Sequence, residues 1–104
     1  MSKFVHTQGI TNVNFTKTVT VFCPLGNDYY TAHITVDFVP ETAMMDYLDE
    51  ENFFKNEIQG SKLIIEDVVQ MVYKHLSKEY SPKYLKVKVY AENATHFPVT
   101  VEKE

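Results

Sequence analysis

Hydrophobic and polar residues alternate with a period of two in two neighbouring stretches near the beginning of the chain. Residues 12–22, "NVNFTKTVTVF", place valines and a phenylalanine on one parity, which predicts a half-buried β-strand. Residues 29–39, "YYTAHITVDFV", are rich in β-branched and aromatic side chains and predict a second strand. The two strands form a hairpin, because the residues between them are typical of a turn: Pro24, Gly26 and Asn27.

Between residues 41 and 80, the pattern of apolar and polar residues changes from that of strands to that of helices. Residues 41–60 have poor strand propensity and end at Gly60, which predicts a helix within that segment. A second helix is predicted within 61–80, where apolar residues share one helical face: Ile65, Val68, Val69, Val72 and Leu76. Ser61 is the predicted N-cap of this helix, and the Ser81-Pro82 pair is expected to stop it.

Alternation returns in the last quarter of the chain. Residues 84–92, "YLKVKVYAE", predict a third strand, and residues 96–103, "HFPVTVEK", predict a short fourth strand after a turn at 93–95. Pro98 favours an edge position or a strand start. The order of elements predicts a single α+β domain over residues 1–104, in which two helices cover one face of a four-stranded antiparallel sheet. The other face, with its Lys and Thr positions, is expected to be solvated or used in assembly.

Composition narrows the classes of protein that the chain can represent. The 104 residues are 44% hydrophobic, enough for one modest core, and no apolar run approaches the ~18 residues of a membrane helix. The net charge is −4 and all ten basic residues are lysines, so neither nucleic acid nor an anionic membrane is an expected partner. A single cysteine and the absence of an apolar leader predict a cytoplasmic protein.

The lone cysteine, Cys23, is the first candidate for chemistry. It lies where the first strand meets the turn, five residues before Asp28. A thiol attacks as the thiolate, which a nearby cation, base or helix N-terminus favours, and no basic residue is adjacent here. The alternative is that Cys23 is a buried filler at a strand end and that Asp28 caps backbone amides of the turn.

Two glutamates are candidates for binding a ligand. A carboxylate can accept two N–H donors at once from the edge of a purine or pterin ring, and Glu66 and Glu92 could each do so. Their alternatives are a helix-start acid for Glu66 and a solvated strand-end residue for Glu92. The four histidines show no metal-ligand spacing, so no metal is expected. The lysines between residues 74 and 88 form either a phosphate-binding patch or, more commonly, a solvated face.

Together, the order of elements and three sequence segments resemble a known family. "CPLGNDYYTAHITVDFVP", "IEDVV" and "YSPKYLKVKVYAEN" are similar to segments of the 7-cyano-7-deazaguanine reductases, the QueF-type nitrile reductases of queuosine biosynthesis, which have the tunnelling fold. The similarity covers residues 23–101, with a turn after Cys23 that is about two residues shorter than in the family.

The resemblance implies roles for particular residues. Cys23 falls on the family's nucleophile, which adds to a nitrile and forms a covalent thioimide. Asp28 falls on the proton donor, and Glu66 falls on the carboxylate that anchors the deazapurine. The resemblance also implies NADPH as cofactor, a purine-like ligand, and a homo-oligomer in which the sites lie between subunits.

The chain departs from the family at several positions. Ile65 stands where the family has a histidine, and the Arg-Gly-Gly run of the final hairpin is missing. In the family's cofactor segment, Asp46 could replace a glutamate, but Asp49 and Glu50 stand where cations are expected. Acids there would repel the cofactor phosphate, so reduction by NADPH is predicted to be slow or absent. The thioimide could then react with another nucleophile, or the chain could only bind a deazapurine.

Three other interpretations stay open. "VKVYAEN" resembles the strand of the 6-pyruvoyl- and 6-carboxy-tetrahydropterin synthases that ends in a substrate-anchoring glutamate, here Glu92, although the zinc histidines of that family are absent. The chain could also be a noncatalytic oligomeric protein of the same fold that binds a purine or pterin. The last alternative is a hairpin-containing dimerisation domain of another fold.

Overall fold

A computed structural model describes residues 9–93 and 97–104. The elements follow the order predicted from the sequence: β1 (Val13–Cys23), β2 (Asp28–Val39), α1 (Tyr47–Phe53) continued by a π-helical turn (Phe54–Ile58), α2 (Ile65–Tyr80), β3 (Tyr84–Ala91) and β4 (Val99–Lys103). The predicted start of the last strand and part of the turn before it fall on residues 94–96, outside the described residues. None of the helices in the described part is long and apolar enough to cross a membrane.

The four strands form one antiparallel sheet in the order β1-β2-β3-β4. The α+β fold class is therefore confirmed. The first hairpin aligns Cys23 with Asp28, the last and first residues of its two strands. The turn closes with a hydrogen bond from the Asn27 amide to the Cys23 carbonyl, 2.8 Å long, and Asn27 takes a left-handed conformation with φ of 57°. Asn tolerates this conformation better than most residues.

The core lies between one face of the sheet and the helices. Alternate residues of the sheet are buried against the apolar face of α2, as their period of two requires: Val19, Val21, Ala32, Ile34, Val36, Phe38, Val87 and Val89. The predicted helical face is also buried, including Val68, Val72 and Leu76. Lys17 shares the helix-side face of β1 and binds both carboxylate oxygens of Glu51 in α1, at 2.9 and 3.0 Å.

The predicted start of α2 at Ser61 is wrong. The N-cap is Ile64, which makes no side-chain capping hydrogen bond. Ser61 instead donates from its hydroxyl to the carbonyl of Ile58, at 2.6 Å, where the π-helical turn ends. The helix ends at Tyr80 because Ser81 adopts a left-handed conformation with φ of 44°, as the Ser-Pro pair predicted.

The start of α2 is displaced because the residues before it are extended along β1. This segment, residues 59–64, is called here the β1-bound linker. Its Gly60 amide donates to the Thr20 carbonyl at 2.8 Å, the Phe22 amide donates to the Ser61 carbonyl at 2.9 Å, and the Leu63 amide donates to the Phe22 carbonyl at 3.0 Å. Phe22 and Lys62 form a parallel bridge. The linker thereby fixes the beginning of α2 beside the end of β1, where Cys23 lies.

Candidate functional site

Cys23 is buried at the end of β1, with 6% of its surface exposed. Its sulfur accepts a hydrogen bond from the Gly26 amide at 3.4 Å, since the turn folds back over it. An N–H donor directed at sulfur stabilises negative charge there. The burial agrees with the filler interpretation and the amide contact with the nucleophile interpretation, so these two observations leave both open.

Asp28 lies directly across the hairpin from Cys23. Residues opposite each other in an antiparallel pair project from the same face, with Cβ atoms about 4.5–5.5 Å apart. The Asp28 side chain is nevertheless exposed, and its Oδ1 accepts from the Tyr29 amide at 2.7 Å. This local contact is the turn role considered above. Asp28 is therefore close to Cys23 but is directed at its own backbone in this structure.

Glu66 lies exposed in the first turn of α2. Tyr30 is the residue on which both Glu66 and Cys23 act. It is buried and donates from its hydroxyl to the Leu63 carbonyl at 2.7 Å. The pKa of Tyr30 is raised, first by burial and then by negative charge at Cys23, Glu66 and Asp67. Cys23 and Glu66 therefore lie within electrostatic reach of one buried phenol.

Glu92 lies at the same end of the sheet as Cys23 but on the opposite face. It follows β3 and is exposed, and its Oε1 is 3.8 Å from Nε2 of His33. His33 projects from the open face of β2, where it stacks on Tyr90 and lies 3.2 Å from the Thr18 hydroxyl. The structure thus brings Cys23 and Glu66 to one side of the sheet and places Glu92 on the other.

A polar cluster that the sequence did not reveal lies between the two helices. Glu50 is 4% exposed, and its Oε2 accepts from the Tyr80 hydroxyl at 2.6 Å. Its Oε1 is 2.9 Å from Nε2 of His75, whose ring stacks on Phe53 at a centroid distance of 3.8 Å. The sequence signal was available but weak: Glu50 falls on the inward face of α1, while His75 and Tyr80 fall on the inward side of α2.

The cofactor segment of the resembled family corresponds to α1 in this chain. Asp46 accepts hydrogen bonds from the amides of Leu48 and Asp49, at 3.1 and 3.2 Å, and so caps the helix. Glu50 is turned inward. These two acids therefore have structural contacts in the positions where the family implies contacts to a cofactor. Within residues 9–93 and 97–104, no group of three or more His, Cys, Asp or Glu side chains is arranged to hold a metal ion.

Comparison with known proteins supports the fold. No family model and no curated protein sequence matches the chain. Among solved structures, the archaeosine synthase QueF-like protein in its apo form is similar, with a TM-score of 0.76 and 16% sequence identity. The match covers 92% of this chain and 96% of that one. The resemblance to a QueF-like tunnelling fold is thereby confirmed at the level of the fold.

Proposed function

We propose that this chain, which shares its fold with a QueF-like archaeosine synthase, binds a 7-deazaguanine that carries a nitrile and forms a covalent thioimide with it through Cys23. One observation carries the proposal. Cys23 pairs with Asp28 across the first hairpin, and negative charge at both Cys23 and Glu66 acts on the phenol of Tyr30, which supports a common site. A nucleophile, a proton source and an anchoring carboxylate are then available at that site.

The chemistry requires a sulfur–carbon bond and one proton. The Cys23 thiolate attacks the nitrile carbon, one π bond of the nitrile opens, and the nitrogen gains a proton. Asp28, when protonated, supplies that proton after its side chain rotates away from the Tyr29 amide. Glu66 accepts two N–H donors from the edge of the deazapurine, which orients the nitrile toward sulfur.

The thioimide can have three fates: reduction by hydride, reaction with a nitrogen nucleophile, or persistence as an adduct. Hydride reduction needs NADPH, and Asp49 of α1 would disfavour binding of its phosphates. Glu50 is buried and bound to Tyr80, so the repulsion rests on Asp49. We therefore propose that reduction is slow or absent. A nitrogen nucleophile would instead add to the thioimide carbon and expel the thiolate, which leaves an amidine. If no nucleophile reaches the adduct, the chain acts as a binding protein.

Assembly is part of the proposal. In the described part of the chain, β4 and the portion of β1 before Thr20 are edges of the sheet whose backbone groups can pair with another copy. The groups from Thr20 to Phe22 are already paired with the β1-bound linker. A second subunit that packs against the β1-bound linker at this end of the sheet would complete the walls of the site at Cys23 and Glu66. We propose a homo-oligomer with its ligand sites between subunits.

A second candidate is a pterin-type activity at Glu92. The observation that favours it is the approach of His33 to Glu92, 3.8 Å apart, which would pair a histidine with a ring-anchoring carboxylate on the open face of the sheet. In that case the deazapurine chemistry at Cys23 does not occur. Binding measurements with Glu66→Gln and Glu92→Gln separate the two candidates, because each substitution removes one carboxylate without changing the size of the side chain.

The test of the proposed function uses intact-mass spectrometry. The native protein is incubated with 7-cyano-7-deazaguanine, and we expect a mass increase equal to that of the ligand, together with near-ultraviolet absorption of the thioimide. Cys23→Ala should abolish the adduct, and Asp28→Asn should slow its formation. Glu92→Gln is the matched control, and it should leave the rate unchanged.

Calorimetry measures the anchoring contact. Glu66→Gln should weaken binding of the deazaguanine by about 1.5–3 kcal/mol, the value of a hydrogen bond to a charged group. The absence of an adduct in the native protein, combined with resistance of Cys23 to thiol reagents, would show that the cysteine is structural. If Glu92→Gln weakens the binding of neopterin and Glu66→Gln does not, the result would favour the pterin-type candidate.

A further inference from the structure

The lysines near the end of α2 and those of β3 do not form one patch, because they lie on opposite sides of the sheet. Lys86 and Lys88 project from the open face of β3, where Lys86 pairs with Glu102 at 3.6 Å. Lys74 and Lys78 lie exposed on α2, which covers the other face. The two pairs of lysines therefore cannot bind one small ligand.

A third lysine joins the two on α2. Lys103, near the end of β4, projects to the helix side of the sheet, and its ammonium group lies 5.0 Å from the centre of the Tyr73 ring. A cation over an aromatic face at this distance is attracted to the ring, so Lys103 is held beside α2. Lys74 and Lys78 are four positions apart, which is about 6 Å along a helix. Three ammonium groups are thereby gathered on one side of the domain.

An open groove of about 420 Å³ lies between these three lysines. Its other walls are Gln70, Tyr73 and Ser77, whose amide and hydroxyl groups can all donate hydrogen bonds. No carboxylate of the described residues lines the groove, and the sequence has no Asp or Glu at residues 1–8 or 94–96. Cations and neutral donors therefore surround this groove, although the chain as a whole has a net charge of −4.

The three lysines make no ion pair with a described residue, whereas Lys17, for example, is held by Glu51. On α2, the positions three and four residues to either side of Lys74 and of Lys78 carry no acid. Glu79 directly follows Lys78, but consecutive residues do not face each other on a helix. The two lysines instead stand at i and i+4, where like charges repel and destabilise a helix. An anion bound between them would remove that repulsion.

The chemistry of the groove fits a polyphosphate. The partial negative charge at the end of α2 accounts for Lys78, the basic residue of the last turn, but not for Lys74 or Lys103. Lysine binds phosphate as a point charge, whereas the planar fork that matches a carboxylate belongs to arginine, and the chain contains no arginine. A multivalent anion balances three cations, and a monovalent one does not.

We propose that the groove between α2 and β4 binds the di- or triphosphate group of a small molecule. The three lysines contact the phosphate oxygens, and Gln70 and Ser77 add neutral donors. Cys23 does not line the groove, so this binding is independent of the proposed nitrile chemistry.

Nuclear magnetic resonance tests the proposal on the intact protein at about 0.1 M salt, where charges more than about 10 Å apart are largely screened. We expect inorganic tripolyphosphate to shift the backbone amide signals of Lys74, Ser77 and Lys103. Orthophosphate carries less charge and should bind at least about tenfold more weakly.

Adenosine triphosphate distinguishes the two sources of such a group. Binding equal to that of tripolyphosphate shows that the phosphates alone are recognised, and tighter binding shows that a nucleoside adds contacts. Both results support the proposal. Binding of adenosine triphosphate without any binding of tripolyphosphate would overturn it, because the phosphates would then not be the recognised group.

Two double variants remove the same charge at different places. Lys74→Gln/Lys78→Gln should weaken tripolyphosphate binding about tenfold, because each exposed ion pair contributes up to about fivefold. Lys62→Gln/Lys88→Gln is the matched control. Both of its lysines are exposed and lie outside the groove, so it should weaken binding less than about threefold, since distant exposed charges are screened.

Three further results would overturn the proposal. Millimolar tripolyphosphate could leave the signals of the groove unchanged, it could shift Lys62 and Lys88 as much as Lys74, or the two double variants could lose binding equally. All four substituted side chains are exposed, so both variants should keep the circular dichroism spectrum of the native protein. If one does not fold, the contrast between tripolyphosphate and orthophosphate on the native chain decides the question alone.

Discussion

The hydroxyl of Tyr30 makes one hydrogen bond that joins the sheet to the beginning of α2. It donates to the Leu63 carbonyl at 2.7 Å, while the ring is 2% exposed in the core. Tyr30→Phe keeps the ring and its packing, so no cavity of side-chain size forms. What is lost is a donor for a carbonyl in the β1-bound linker, and an acceptor left without its partner costs about 1–3 kcal/mol.

Part of this cost is recovered because the phenylalanine ring is less costly to bury than the phenol. We therefore expect the free energy of unfolding to fall by about 1–2 kcal/mol. For a chain of this length, each kcal/mol corresponds to roughly 4–8 °C in Tm. Urea unfolding followed by circular dichroism measures the change. The slope of the free energy of unfolding against urea concentration should equal that of the native protein, since the surface exposed on unfolding is nearly the same.

The matched control is Tyr29→Phe. Tyr29 is the neighbouring residue, its ring is 57% exposed, and it packs against Phe22 through ring contacts that phenylalanine retains. Its substitution should change stability by less than about 0.5 kcal/mol. Equal stability of Tyr30→Phe and the native protein would refute the reasoning, and so would equal losses in the two variants, because the buried hydrogen bond would then have no measurable value.

Two further predictions concern pH and assembly. The pKa of Tyr80 is raised by burial and by its bond to Glu50, and that of Tyr30 is raised by burial. The folded state therefore keeps these protons above about pH 10, where the unfolded state releases them. The free energy of unfolding should hold its full value below that pH and fall above it, by up to about 1.4 kcal/mol per pH unit for each tyrosine. In urea titrations, Tyr80→Phe should make the fall in the free energy of unfolding between pH 10 and 11 shallower than in the native protein. An unchanged slope with pH would contradict this. The exposed backbone of β4 and of β1 before Thr20 should produce a homo-oligomer, and sedimentation at tens of micromolar that shows only a 12.1 kDa species would contradict it.

The order and type of the elements were predictable because the strands and the second helix carry a hydrophobic period over most of their length, although Lys17 interrupts it in β1. The first strand was expected over residues 12–22 and is Val13–Cys23, and the second was expected over residues 29–39 and is Asp28–Val39. Alternation identifies such strands because every second side chain must enter the core. The same logic confirmed the apolar face of α2, from Val68 to Leu76.

The beginning of α2 was not predictable by the same reasoning. Ser61 has the side chain of a good N-cap, but local preference was overridden by backbone pairing with β1, a contact between residues about 40 positions apart in the sequence. The first helix was uncertain for a related reason. Its seven residues carry few apolar side chains, and the π-helical turn after it shifts the register of Phe54 and Ile58 toward the core.

The candidate site was predictable only in part. The pairing of Cys23 with Asp28 follows from the hairpin. The position of the start of α2, which carries Glu66, beside the end of β1 follows from the β1-bound linker, which the sequence does not indicate. The roles of these residues stay predictions. The Glu50 cluster was missed because acids in a short helix are usually exposed, and only the packing of α1 on α2 shows that one of them is buried.

The β1-bound linker also limits how this protein can aggregate. An edge strand attracts strands of other chains wherever its backbone groups are unpaired. From Thr20 to Phe22 those groups are already bound to the linker. Earlier in the strand, Lys17 projects toward the helix side and is held there by Glu51, and an inward-pointing charge disfavours stacking of a foreign strand. A growing fibril would have to separate the linker from β1 or bury that lysine, so the end of β1 that carries Cys23 is also shielded from strand addition.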